Sequence, residues 1–528
     1  MLHSATGFDG AFSAPHRAAA LAGRDILQAG GTAIEAMVAA AATIAVTYPH
    51  MNGIGGDGFW LIHRPGRQVT GISACGQAAR LATPEWYGER GFVDAMPTRG
   101  PVAALTVPGT VGGWEKALSL VEDEKRLPLE TLLSSAIGYA ENGIAVTGNQ
   151  SDCTAAKLDG LRDVPGFAET FLIDGAVPEA GARLCQKPLA ATLRALAALG
   201  LSSYYCGDLA RTHAAFLEES GSPLRLEDFA AYEARIVDPL RVETSHGRLM
   251  NMIPPTQGVA SLMILAVFDR LGVTKGEGFE HLHGLIEATK QAFIVRNAGL
   301  GDPDFMAEPA QDWLADDRLD ALAARIDMKN AFPWPHEPAD GDTIWMGAAD
   351  RYGNVVSFIQ SVYWEFGSGL TCPETGVFFQ NRGAGFSLAP GPNRLAPGKR
   401  PFHTLNPALA HLRDGRVIAY GTMGGEGQPQ TQAAVFSRHV LFGEDLQAAV
   451  TAPRWLLGRT WGEETTTLKL EDRFDPALVA RLKEAGHDVE MLPAFSDAAG
   501  HAGAIVLHQN GLMEAASDPR ADGLALVD

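Results

Sequence analysis

Basic residues are the scarce class in this 528-residue chain: 42 lysines and arginines stand against 62 aspartates and glutamates, a formal net charge of −20. That balance excludes a phosphate-tracking surface and argues against nucleic acid or an anionic membrane as partner, since both select basic patches. It also repels an anionic small molecule at long range, so any negative substrate must be held by a few local cations. Cysteine is equally thin. Cys75, Cys153, Cys185, Cys206 and Cys372 are scattered and odd in number, without the short paired spacings of a zinc site or a disulfide framework. No apolar run approaches the roughly 18 to 20 residues of a membrane span. The first residues, Met1-Leu-His-Ser-Ala-Thr-Gly-Phe-Asp-Gly10, lack a basic segment followed by an apolar core, so the expected location is cytoplasmic.

What is present suits a large globular enzyme. Hydrophobic residues make up 46% of the chain, enough to bury an extensive core, and the length alone allows two to four domains. The order is helix-rich first and strand-rich last. Ala14 to Gln28 reads as a helix ended by Gly30-Gly31, and Thr32-Ala-Ile-Glu35 is a capping box opening a nearly all-apolar helix to about Val46. Amphipathic helices are expected near Leu129 to Asn142, Lys187 to Leu199 and Phe279 to Asn297. His281 and His283 on the last of these lie two apart, point away from one another, and are expected to be ordinary core or surface histidines. Strand signals follow at Ile344 to Ala349, Val355 to Ser361, Gly376 to Phe379, Ala408 to Leu412, Val417 to Tyr420 and Ala504 to Leu507, with earlier strands at Gly58 to Arg64 and Val69 to Ala74.

One junction stands out. A proline-rich acidic stretch, Pro333-Trp-Pro-His-Glu-Pro-Ala-Asp-Gly-Asp342, runs into an apolar strand whose first residue is Thr343. Cleavage between Asp342 and Thr343 would give one residue both a nucleophilic hydroxyl and an α-amine to serve as its base. From these residues alone, a linker followed by an ordinary hairpin is the simpler reading.

Motifs along the whole chain change that weighting. Gly23-Arg-Asp-Ile-Leu-Gln-Ala-Gly-Gly-Thr-Ala-Ile-Glu-Ala-Met37, Gly55-Gly-Asp-Gly-Phe-Trp-Leu-Ile62, Pro254-Pro-Thr-Gln-Gly258, Gly301-Asp-Pro-Asp-Phe305, Asp350-Arg-Tyr-Gly-Asn-Val-Val-Ser357, Gly421-Thr-Met-Gly-Gly425 and Ala516-Ser-Asp-Pro-Arg520 occur in order. In these the sequence resembles the gamma-glutamyltranspeptidase family of N-terminal-nucleophile hydrolases. The resemblance implies an α+β fold, a four-layer αββα sandwich. It also implies self-cleavage into residues 1–342 and 343–528, intertwined as one globule that can pair into a dimer of such heterodimers, with no cofactor or metal. Thr343 would be nucleophile and base, Gly424 and Gly425 the oxyanion donors, and Ser361 a supporting hydroxyl. Asn354 and Ser357 are better read as hairpin residues.

Departures from the family pattern bear on the substrate. Cys75 falls where an arginine grips the glutamyl α-carboxylate, and Gly385 where an aspartate pairs with the α-ammonium. Each lost charge-assisted contact is worth roughly 1.5 to 3 kcal/mol, so the acyl group is not expected to be gamma-glutamyl. Tyr363, Trp364, Arg382 and His403 are bulkier than their family counterparts, with Thr404 beside His403, which suggests a small acid amide as substrate. Cys75, Tyr363, Asn381, Arg382, His403 and Thr404 are therefore the candidate substrate contacts. Arg382, Arg394, Lys399, Arg400 and His403 are the local cations; Arg382 and His403 are favoured for a carboxylate, and Lys399-Arg400 for structure. The stretches Gln360 to Ser368 and Tyr420 to Gln430 resemble the family branch that hydrolyses oxamate to oxalate and ammonia. A gamma-glutamyl enzyme, an acylase of the glutaryl-cephalosporin type and an uncleaved non-enzymatic scaffold stand as alternatives.

Overall fold

A computed structural model of the chain describes residues 3–122, 126–334, 342–458 and 465–528, with the side chain of Asp342 outside the description. Most of the proline-rich stretch before Thr343, residues 335–341, therefore lies outside the described residues, and the linker reading of it with them.

Two seven-stranded sheets carry the fold. The first runs, in spatial order, Leu524–Val527, Gly10–Ala14, Asp342–Asp350, Val355–Tyr363, Asp57–His63, Thr70–Ala74 and Arg235–Val237. The second runs Ala5–Gly7, Met513–Ser517, Ala502–Leu507, Val417–Thr422, Ala408–Leu412, Gly247–Asn251 and Leu240–Thr244. Every pairing within them is antiparallel. Strand Val355–Tyr363 is buried at all nine positions, as a strand covered on both faces must be.

Three apolar cores fix the layers. Phe59, Leu61, Trp345, Ile359, Leu409 and Ile505 form the core between the two sheets. Trp60, Ile62, Met346 and Phe358, on the other face of the first sheet, pack with the helices Ala33–Thr47 and Leu129–Asn142. Ala410, Ile418 and Tyr420 of the second sheet pack with the helices Gly258–Arg270 and Phe279–Gly299. The alternation of side chains along each strand thus feeds two different cores, and the result is helix, sheet, sheet, helix: the αββα sandwich. No helix among the described residues is long and apolar enough to cross a membrane.

Local signals place the elements. The capping box at Thr32 forms, with Glu35 N donating to Thr32 Oγ1 and Thr32 N to Glu35 Oε2; all fifteen residues of the helix it opens are buried. Helices Leu129–Asn142 and Lys187–Leu199 occupy the expected ranges, and Phe279–Gly299 extends two residues further. His281 and His283 are both buried and turn to different partners, Ser437 and His487.

Two expectations are corrected. Ala14 ends a strand rather than beginning a helix, because His16 caps the helix that starts at Arg17. Gly376 to Phe379 is no strand: Gly376 turns with φ +67° while its N–H and that of Thr375 return to Cys372 O, leaving a single bridge between Thr371 and Phe378. At the tip of the central hairpin, Asp350 accepts from Tyr352 N, Asn354 N and Asn354 Nδ2, and also from Ala33 N at the start of the capped helix. Asn354 is thus a hairpin residue as expected, and Ser357 accepts from Trp345 Nε1 within the sheet.

Candidate active site

The centre of the first sheet is irregular at one place. Asp342 pairs with Tyr363 and Ile344 with Gln360, so Thr343 alone stands against Ser361 and Val362. Such a bulge re-aims a side chain and breaks the ladder locally. Across the next ladder Ser361 pairs with Asp57. Thr343, Ser361 and Asp57 therefore form a row over three adjacent strands, each fully buried. Ser361 and Asp57 share strand faces with Ile359 and Phe59, which belong to the core between the sheets.

From the second sheet comes the turn Met423 to Glu426, which joins strand Val417–Thr422 to helix Gly427–Phe436. Gly424 and Gly425 take φ of +117° and +49°, conformations open to glycine and costly for other residues. Gln428, in the first turn of that helix, donates from Nε2 to Thr343 Oγ1 at 3.4 Å. Its orientation is set by Asn406, whose N and Nδ2 both donate to Gln428 Oε1. Gln257 Nε2 donates to Gly425 O at 2.8 Å and to Thr404 O at 2.7 Å, while Gln257 Oε1 accepts from Arg296 Nη1. Arg296 also pairs with Glu426 at 2.5 Å. This buried network locks the glycine turn and the segment at Thr404 in one arrangement.

The cations separate into two groups. Arg400 is held bidentately by Asp302 and again by Asp304, and Lys399 donates to Arg394 O, so both belong to structure, as expected. Arg382 is fully buried. Its Nη2 reaches Ser361 Oγ at 3.5 Å, its guanidinium carbon lies 3.9 Å from the Tyr363 ring centroid, and its Nε and Nη1 have no hydrogen-bond partner among the described residues. Burial lowers its pKa to about 10, which leaves it charged at neutral pH. His403 is buried against Phe59, with Nε2 3.4 Å from Asp57 Oδ2, and burial with the nearby Arg382 charge holds it neutral. Among the described residues, neither ring nitrogen of His403 nor Thr404 Oγ1 has a hydrogen-bond partner.

Tyr363, next to this cluster, holds φ +84°, a conformation a non-glycine residue keeps only when its surroundings enforce it. Here Tyr363 N donates to Ser361 Oγ at 2.7 Å, and Asn381 Oδ1 accepts from Trp364 N while its Nδ2 donates to Thr98 O. Asn381 thus uses both ends of its carboxamide on backbone. Cys75 is buried, contacts Ser73 Oγ at 3.6 Å, and has its thiol pushed up to about 12 by burial; it faces a cavity of about 310 Å³ shared with Arg235, Asp304 and Arg400. Gly385, at the end of the turn Arg382–Gly385, has Phe402 O 3.1 Å from where a Cβ would stand.

The residues gathered here but not singled out from sequence are Asp57, Gln428, Gln257 and Arg296. Asp57 is an acid set inside Gly55-Gly-Asp-Gly58, while Gln257 and Gln428 lie within the motif Pro254 to Gly258 and the stretch Tyr420 to Gln430. A Cβ at Gly56 would lie 2.1 Å from Ser361 O, so the glycine lets the chain reach the row that Asp57 completes.

The whole chain has known relatives. The family model described as gamma-glutamyltranspeptidase matches residues 19–527. The oxamate amidohydrolase proenzyme of Klebsiella pneumoniae is 53% identical over 97% of both chains, and the glutathione hydrolase-like YwrD proenzyme of Bacillus subtilis 39% identical over 97% of both. Among solved structures, the cephalosporin acylase from Bacillus halodurans superimposes with a TM-score of 0.92 at 32% identity, over 99% of this chain and 96% of its own. With its sandwich, its bulged Thr343 and a family match from end to end, this chain belongs to the gamma-glutamyltranspeptidase family.

Proposed function

We propose that the protein is a self-processing amidohydrolase that cleaves a small acid amide, oxamate foremost, through Thr343. Maturation would begin with attack of Thr343 Oγ1 on the Asp342 carbonyl; the peptide C–N bond breaks as the ester forms, and water then releases residues 1–342 from 343–528. The freed α-amine, with an ordinary pKa of about 7.7 to 8.0, takes the hydroxyl proton during attack on the substrate amide and passes it to the leaving ammonia. Water hydrolyses the resulting ester in a second round. Gly424 and Gly425 are the oxyanion donors in this reading, since both lie in the turn fixed by Gln257 and lead into the helix whose Gln428 touches Thr343. Ser361 supports the nucleophile from the neighbouring strand.

One observation carries the choice of substrate class: a fully buried arginine with two unpaired N–H groups reaches the hydroxyl that stands beside Thr343. A buried guanidinium with open donors suits a carboxylate, and oxamate carries its carboxylate directly on the amide carbon. The name of the Klebsiella relative supports the same substrate. His403, Thr404 and Cys75 would line the acid end; Tyr363 would carry the guanidinium, and Asn381 the loop behind it. A larger-substrate acylase is the second reading, favoured by the likeness to the cephalosporin acylase.

A panel of amides with ammonia or amine release as readout separates the readings. Oxamate is expected to be turned over, and glutaryl-cephalosporins and gamma-glutamyl anilides negligibly. Turnover of the bulky amides with none of oxamate would overturn the proposal.

A further inference from the structure

Asp57 is an awkward neighbour for a carboxylate-binding arginine. It stands opposite Ser361 on the next strand, and its Oδ1 accepts from Gly76 N at 3.1 Å and Gly109 N at 3.0 Å. Those two amides fix the carboxyl plane, and Oδ2, which makes no well-aligned hydrogen bond, is left on the His403 side. His403 Nε2 lies 3.4 Å from that oxygen, and the Arg382 charge acts on both Asp57 and His403; Arg382 Nε and Nη1, both ring nitrogens of His403 and the adjacent Thr404 hydroxyl have no hydrogen-bond partner among the described residues. Buried polar atoms are ordinarily paired. Unpaired atoms on Arg382 and His403, beside a carboxylate oxygen that is itself unpaired, describe a receptor for a small polar group.

The charges around it define what that group is. Arg382 is the cation. His403 is neutral, the Cys75 thiol is un-ionised, and the Tyr205 and Tyr232 phenols, pushed well above their ordinary range by burial, donate to Pro108 O and Gly109 O. Gln380 adds a carboxamide, and Arg400 beyond Cys75 is already matched by Asp302. One buried positive charge can balance one carboxylate. If Asp57 were ionised, a substrate carboxylate would make two anions for one cation at low dielectric, an arrangement that burial strongly disfavours.

We infer that Asp57 is a specificity-determining residue of this site: with Arg382 and His403 it receives the substrate carboxylate, and it does so as the neutral acid, donating its hydroxyl proton to a carboxylate oxygen. This rests on the acid-amide reading given above. The proton is shared between the two carboxyl groups as in other paired buried acids, and Arg382 carries the balancing charge. When Asp57 is ionised in the free enzyme, binding takes one proton from solvent. Burial, which holds Asp57 up to about 7 despite Arg382, sets where that uptake begins.

The test uses the processed enzyme with oxamate as substrate and oxalate as binding ligand. KM for oxamate is expected to rise with pH above about 7, approaching tenfold per pH unit, the slope of a one-proton linkage. Calorimetry of oxalate binding at about pH 8, in buffers of different ionisation heat, is expected to read close to one proton taken up. Asp57→Asn keeps a carbonyl oxygen for the Gly76 and Gly109 amides and should flatten the KM profile and remove most of the uptake; Asp57→Ser serves if the asparagine variant does not fold. A pH-independent KM, or uptake that survives in the variant, overturns the inference while leaving oxamate hydrolysis intact. A variant that loses turnover only of α-amino acid amides also overturns it, because Asp57 would then be an ammonium acceptor. Failure of the wild-type enzyme to hydrolyse oxamate at any pH would instead sink the functional reading, and the inference with it.

Discussion

Arg382 lies over the ring of Tyr363, guanidinium carbon 3.9 Å from the centroid, and the ring is held there by a left-handed backbone at φ +84°. A stacked, desolvated guanidinium is attracted to the ring by up to about 2 kcal/mol, and the stacking leaves its edge, with Nε and Nη1, open. The strain at residue 363 thus appears to the enzyme as a fixed direction for one cation. Replacing Arg382 with methionine keeps bulk and removes charge; KM for oxamate should rise roughly 10- to 150-fold, the loss of one charge-assisted contact of about 1.5 to 3 kcal/mol. Tyr363→Leu should raise KM by less. Unchanged KM in Arg382→Met would move the carboxylate elsewhere.

Processing is tested with Thr343. Wild-type protein should run as two fragments on a denaturing gel, and Thr343→Ala as one folded chain without ammonia release. Thr343→Ser should process partly, because a hydroxyl remains while the methyl group that restricts its rotamer is gone. Two normal fragments from the alanine variant would remove Thr343 from the mechanism.

Glutamyl specificity is tested by placing charges at Cys75 and Gly385, the positions where the family resemblance implies an arginine and an aspartate. Gly385 has no positive φ, and the nearest obstacle to a Cβ is 3.1 Å away, so Gly385→Asp should be accommodated with a small shift. Cys75→Arg would enter the cavity it faces, beside Arg400. The double variant should bind gamma-glutamyl anilides better than either single variant, since the charges hold opposite ends of one zwitterion. The gain should be modest, because Tyr363 and Arg382 still occupy the site. Efficient glutamyl transfer by the unmodified protein would mean that other cations already serve that role.

Asp57 also predicts a stability signature. Its carboxyl is raised from the ordinary 3.8 to about 7, burial being the largest cause, so the native state holds the proton more tightly than the unfolded chain. The stabilising contribution is complete below about pH 4 and is lost as pH rises through about 7. Melting temperature measured from about pH 5 to about pH 8 should therefore contain a declining component that Asp57→Asn lacks. Parallel profiles for the two proteins would mean that Asp57 is ionised in the native state throughout.

Much of the fold was legible from sequence because its signals were local: the capping box at Thr32, the helices at 129–142 and 187–199, the alternation in the strands after Thr343. Short strands such as Gly10–Ala14 and Ala5–Gly7 were not, since three to five residues carry no period of their own and exist only through their partners. The site divides the same way. Thr343 and the glycine pair announce themselves by context. Gln428 meets Thr343 across 85 residues, and Gln257 meets Gly425 across 168; glutamines in a sequence give no hint of such appointments. An acid among glycines, as Asp57 is, reads as a turn residue until Ser361 stands opposite it.

Strands from before and after residue 342 are joined in both sheets: in the first, Gly10–Ala14 lies between Leu524–Val527 and Asp342–Asp350, and Asp57–His63 closes against Val355–Tyr363; in the second, Ala5–Gly7 and Gly247–Asn251 flank four strands from after the junction. Neither piece owns a complete sheet. As one chain, the two supply each other at the high effective concentration of a tether, so refolding is first order and indifferent to dilution. Denatured after cleavage, the same residues must find each other in solution, and recovery should fall with dilution as a second-order process does. A cut at Asp342–Thr343 would therefore turn a reversible fold into one that is made once.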